Sequence, residues 1–149
     1  MSILAPDAVK FRTTEEILSL VRRFEDCTLP RAEWTHAAHL TVALWYLLEF
    51  DWPEATERVR RGIQRYNAAH GIRPTPTGGY HETLTLFWLR VVRSFLEEGR
   101  NEARSLVSLA NELATEADRG LPLRHYTRER LFSPEARAAW VEPDLTPFD

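Results

Sequence analysis

The chain has 149 residues, 44% of them hydrophobic and 28% charged, which suits one domain around a single sizeable core. A net charge of −3 gives no overall field to recruit nucleic acid or an acidic membrane, so neither is expected as a partner. A single cysteine, Cys27, excludes an internal disulfide framework and the Cys-rich zinc modules.

The first element is a helix over residues 14–26. Thr13 and Glu16 have capping-box spacing, and Ile17, Leu20, Val21 and Phe24 follow at helical spacing. Thr28-Leu29-Pro30 breaks it. A second helix covers 35–50 with Thr35 as N-cap. A third begins at Pro53, carries Ala55, Val59, Ile63 and Tyr66 inward, and ends near His70-Gly71. Residues 72–79 form the one long loop. A fourth helix spans 80–98. A fifth, capped by Asn101, carries Leu106, Leu109, Leu113 and Ala117 and ends at Gly120. The tail holds a short helix with Ser133 as N-cap and Pro134 at its first position, ended by Glu142-Pro143-Asp144.

No run has strand alternation bounded by hairpin turns, so the expected fold is all-α. The expected architecture is a single-domain up-and-down bundle of about five helices, with a short C-terminal helix and an extended tail. Residues 1–12 and 143–149 are expected to be peripheral. The apolar stretch Leu40–Leu48 is far too short to span a bilayer, and the opening residues lack a basic-then-apolar signal pattern. A cytoplasmic location is the expectation.

Short connections favour antiparallel neighbours. With strict alternation, the starts of the second and fourth helices share a pole with the ends of the first, third and fifth. That pole collects His36, His39, His70, His81 and His125, together with Cys27.

A helix turns ~100° per residue, so His36 and His39 lie about 60° apart on one face. Residues three apart bring both imidazoles within reach of one ion. His81 shares a stripe with Leu84, Trp88, Val91, Val92 and Phe95, opposite Arg90, Arg93 and Glu97, and so points inward. The expected metal ligands are therefore His36, His39 and His81. Glu82, His125 and Tyr126 are the candidates for a fourth ligand or acid/base group.

Each candidate has a plainer reading. The histidines can be hydrogen-bonded core residues, and Glu82 can serve the start of its helix. His125 and Tyr126 can be packing anchors. His70 reads as a helix-end cation and Cys27 as a small buried residue. Glu33-x-x-His36 occurs without a second copy, which excludes a di-iron carboxylate site. Thr75-Pro76-Thr77-Gly78-Gly79 lacks the phosphate-loop spacing and its Lys. Arg124, Arg128 and Arg130 read as a solvated face.

Three blocks stand out: Trp34-Thr35-His36-x-x-His39-Leu40, Tyr80-His81-Glu82-Thr83, and Leu131-Phe132-Ser133-Pro134-x-Ala136-Arg137-x-x-Trp140-Val141-Glu142-Pro143-Asp144. Together they resemble the blocks of a group of small uncharacterised bacterial proteins, over most of the chain from Cys27 to Leu145. The resemblance implies a stand-alone bacterial domain and brings no activity with it.

The leading functional expectation is a metal-dependent enzyme acting on a small, partly apolar molecule near Trp34, Tyr80 and Trp88. Three histidines with an open position suit Zn²⁺ and an activated water, for hydrolysis or hydration. Two histidines and a carboxylate suit Fe(II) and oxygen chemistry. The alternatives are a metal-free small-ligand-binding module, and a structural or partner-binding helical domain without catalysis.

Overall fold

The computed structural model describes residues 11–99 and 104–148. In the order of the chain, α1 is Thr14–Glu25, α2 His36–Glu49, α3 Trp52–Ala69, α4 Glu82–Gly99 and α5 Leu106–Glu116. Three short helices follow: α6 Pro122–His125, α7 Arg128–Leu131 and α8 Pro134–Ala138. The protein is all-α. Among the described residues the extended pairing is limited to one isolated bridge, Thr75 to Gly78. None of the described helices is long and apolar enough to cross a membrane.

The helix starts follow from side chains that satisfy free backbone N–H groups. Thr13 and Glu16 form the capping box of α1. Thr35 accepts from the Ala38 N–H at 3.1 Å at the head of α2, and Asp51 accepts from the Glu54 N–H at 3.1 Å at the head of α3. The Ser105 hydroxyl caps α5, whereas the expected cap at Asn101 lies outside the described residues. α5 stops at Glu116, before Gly120, and the chain turns through Asp118 and Gly120 into Pro122.

α2 is the central rod. Ala37, Ala38, Leu40, Thr41, Val42, Ala43, Leu44 and Tyr46 are all buried, and they cover every side of the helix. It packs against α1, α3, α4 and α5. Its small residues admit close neighbours, while each fully buried Leu contributes about 1.5–3 kcal/mol.

A second apolar cluster, around Phe87, Tyr126 and Leu131, joins α4 to the C-terminal segment. Residues 143–148 are tied to it. Phe148 stacks on His125 at 4.7 Å, Asp144 accepts from Thr127, and the Leu145 N–H donates to the His125 carbonyl at 2.9 Å. The expected peripheral tail thus packs onto the second cluster.

The loop after α3 is set by backbone geometry. Gly71, at φ +75°, closes α3 with Gly71 N–H to Ala68 O and Ile72 N–H to Asn67 O, the paired bonds of a Schellman ending. Gly79, at φ +82°, lies so close to Arg73 that a Cβ would sit 2.7 Å from the Arg73 carbonyl oxygen. These two turns set the path by which Ile72 and Tyr80 reach the wall described next.

Candidate functional site

A cavity of about 820 Å³ opens between α2, α3, α4 and the segments around residues 31–35, 119–123 and 131–132. His36, His39 and His81 all line it, with Trp34, Tyr80 and Trp88. The structure therefore brings together the three histidines proposed as ligands and the aromatic residues expected around them.

His39 has the most defined chemistry. The Thr35 carbonyl can only accept, so the Nδ1 atom of His39, 2.7 Å away, carries the proton. Nε2 then holds the lone pair, and no described residue donates to it. The ring stacks on Trp34 with centroids 3.7 Å apart, and Trp34 stacks in turn on Phe24 at 4.7 Å. Trp34 is set by the turn Arg31–Glu33, with its N–H donating to the Arg31 carbonyl at 3.1 Å. Tyr66 supports the same stack at 5.4 Å, its hydroxyl donating to the Leu29 carbonyl at 2.8 Å. Burial pushes the His39 pKa down to about 4. The Thr35 bond opposes this, and the neighbouring His36 and Arg119 add to it. His39 is neutral at pH 7.

His36 lies edge-on to Trp88 at 4.6 Å, and its Nε2–H donates to the Ala117 carbonyl at 3.3 Å, closing the end of α5. His81 is buried, and both its nitrogens are engaged. Nε2–H donates to the Leu131 carbonyl at 2.7 Å, and Nδ1 accepts from the Leu84 N–H at 3.1 Å. The two bonds fix one neutral tautomer, and burial lowers its pKa. His81 is thus the cap of α4 and a tie to α7. As placed, it has no lone pair to give a metal ion. Among the described residues no three His, Cys, Asp or Glu side chains are grouped to hold one.

The other candidates lie off the cavity wall. Glu82 accepts from Arg60 through both oxygens, at 3.0 and 2.6 Å, and from the Tyr80 hydroxyl at 2.6 Å. Burial alone would raise its pKa, but Arg60 and Tyr80 outweigh it and hold the carboxyl below its usual range. Glu82 is the first residue of α4, not its third, because His81 supplies the cap. Its carboxylate joins α4 to α3.

His125 donates from Nδ1 to the Thr146 carbonyl at 2.7 Å, and the buried Tyr126 donates to the Val141 carbonyl at 2.7 Å. Burial pushes the Tyr126 hydroxyl up to about 12. Both hold the C-terminal segment. His70 donates from Nε2 to the Cys27 carbonyl at 3.1 Å beside Tyr66, also away from the cavity wall.

Sequence reasoning missed the polar residues that share the wall, Arg31, Asn67, Thr85 and Arg119. Each belongs to a different segment, and none stands in a motif. The Schellman ending that turns the chain at Asn67 was the one local signal, through Gly71.

No family model matches the chain, and no curated protein or solved structure does either.

Proposed function

We propose that this chain is a metal-free small-ligand-binding protein, with its pocket at the histidine-lined cavity. One observation carries the reading: aromatic and aliphatic walls surround a neutral His39 whose accepting nitrogen has no partner among the described residues. Such a site, mostly apolar with a few placed polar groups and several hundred Å³ in volume, is the common form of a small-molecule pocket. An up-and-down arrangement of α1–α5 in a cytoplasmic protein agrees with the short connection from Glu49 of α2 to Trp52 of α3 and with the absence of a membrane-length helix among those described.

The test is a fragment screen read by amide-correlation NMR. Binders are expected to shift the resonances of Trp34, His39 and Trp88, and Ala43→Phe, which projects a ring from the cavity wall, is expected to abolish those shifts in a folded protein. A screen that leaves the cavity residues unmoved would overturn the reading. So would one equivalent of zinc or iron in tag-free protein, lost in a folded His36→Ala variant. That result would restore the metal-dependent enzyme, which requires His81 to release Leu84 and Leu131.

A further inference from the structure

Several polar side chains on the cavity wall are already engaged. The Thr35 hydroxyl accepts from the Ala38 N–H at the head of α2, and His36 donates to the Ala117 carbonyl. Thr85 donates to the His81 carbonyl at 2.9 Å and Tyr80 to Glu82 at 2.6 Å, while both nitrogens of His81 are taken. His39 differs. Its Nδ1–H is bound to the Thr35 carbonyl, and Nε2 makes no hydrogen bond with any described residue.

What this nitrogen can meet is restricted. With Nδ1 protonated, Nε2 of a neutral imidazole accepts and cannot donate. The Thr35 bond and the stack on Trp34 hold the ring, so the two nitrogens do not exchange places. Asn67, half-buried on the same wall, also has a side chain without a hydrogen bond to a described residue. Its carboxamide both donates and accepts, so it excludes neither kind of ligand group. His39 sets the direction. Among the described residues that line the cavity there is no Asp or Glu to balance a cation, and an ammonium group is poorly matched to it. Ile63, Leu84, Trp88 and Phe132 make much of the remaining wall apolar.

Resting on the pocket reading above, we propose that the ligand is a neutral, largely apolar molecule that donates one hydroxyl or N–H group to Nε2 of His39. A ligand of the same shape without the donor would displace water from Nε2 and return nothing. It would leave a polar atom unsatisfied against apolar walls. That asymmetry lets one hydrogen bond discriminate strongly between molecules of nearly the same shape. A carboxylate or an ether is the poorer match on the same ground, because each sets lone pairs against a lone pair.

The test pairs donors with near-isosteres that lack the donor: indole with benzothiophene, naphthol with fluoronaphthalene, and ethylphenol with ethylfluorobenzene. Affinities come from NMR titration of the cavity residues at pH 7, in the parent protein and in His39→Phe. The donor-to-isostere affinity ratio is expected to drop roughly tenfold in the variant for at least one pair. Comparing ratios between the two proteins cancels the ligands' own difference in hydration. A second measurement needs no variant. In histidine labelled with nitrogen-15, the Nε2 resonance of His39 is expected to move when a donor binds, in the direction of a hydrogen-bonded nitrogen, and to stay for its isostere. That reading decides the matter by itself if His39→Phe does not fold, which circular dichroism would reveal. An unchanged ratio, or an Nε2 resonance that ignores the donors while cavity amides move, would overturn the donor proposal and leave the pocket standing. If no compound moves the cavity resonances, the pocket reading fails and takes the donor with it.

Discussion

The imidazole of His39 lies face to face with the indole of Trp34, ring centroids 3.7 Å apart, while its Nδ1–H is bound to Thr35 one turn back. The stack and the bond fix the ring's plane and its tautomer, so the accepting Nε2 is set before any ligand arrives. Both restraints are local, reaching from the turn before α2 into its first turn.

This placement predicts a pH dependence of stability. The His39 pKa is held near 4 in the folded protein, against an ordinary value of 6.5. Between those values the unfolded chain binds more protons than the folded one, so stability falls as pH drops through that window. The loss is up to about 3 kcal/mol for His39 by pH 4, less whatever solvation cavity water gives the ring. His81, also lowered, acts in the same direction. His39→Phe keeps the stack and leaves Thr35 O accepting from the backbone N–H of residue 39 at 3.0 Å. Urea denaturation between pH 4 and 7 should show a shallower slope in that variant; an unchanged slope would assign the effect elsewhere.

His81 is expected to behave as a structural tie. His81→Ala removes the cap from Leu84 and leaves the Leu131 carbonyl without its donor. A lost cap costs about 0.5–2 kcal/mol and a buried unsatisfied group about 1–3 kcal/mol, so a total of roughly 2–4 kcal/mol is expected. His81→Asn retains a capping oxygen and should recover the smaller part. Chemical denaturation at pH 7 measures both, and an alanine variant as stable as the parent would contradict the two bonds.

These features differ in how far they could be read from residues alone. The capping box at Thr13 and Glu16, and the shared face of His36 and His39, depend on spacings of three, so the sequence holds both partners side by side. The role of His81 depends on Leu131, fifty positions along, and that of Glu82 on Arg60 in α3. No periodicity reports such pairings. The short α6 and α7 hold too few turns for an apolar repeat, although Pro122 at the head of one and the Thr127 cap of the other mark them in hindsight. The cavity itself is a property of how α2, α3 and α4 pack around one another, which small residues such as Ala43 permit without locating.

Gly62→Ala tests how tightly α1 and α3 pack beneath the stack. A Cβ at Gly62 would fall 2.7 Å from the ring of Phe24, which is itself fully buried and stacked on Trp34. Alanine raises helix propensity by about 1 kcal/mol, whereas forcing an extra carbon into a packed core costs about 1–3 kcal/mol. Because Phe24 is held by Trp34 on one side and lies 5.9 Å from Tyr66, it cannot swing away freely, and net destabilisation is expected. A lower melting temperature, with altered Trp34 fluorescence, is the expected result. A more stable variant would show that the Phe24 ring gives way.

Cys27 presents the opposite case, a residue whose replacement should help. It follows the last turn of α1 at φ +66°, the left-handed region. Its N–H donates to Phe24 O at 3.2 Å and the Thr28 N–H to Arg23 O at 2.9 Å. These are the bonds of a Schellman ending, with cysteine where glycine is usual. A side chain in that conformation costs roughly 1–2 kcal/mol, and glycine gives back part of this through its greater freedom in the unfolded chain. Cys27→Gly is therefore expected to stabilise the protein by about 0.5–1 kcal/mol, while Cys27→Ala, which keeps a Cβ, should give no such gain. The contrast removes loss of the thiol as an explanation, since both variants lack it. His70 continues to donate to the carbonyl of residue 27 in each. Melting temperatures of the two variants, measured side by side under reducing conditions, decide the matter: equal values would mean that the left-handed turn is not the source of strain.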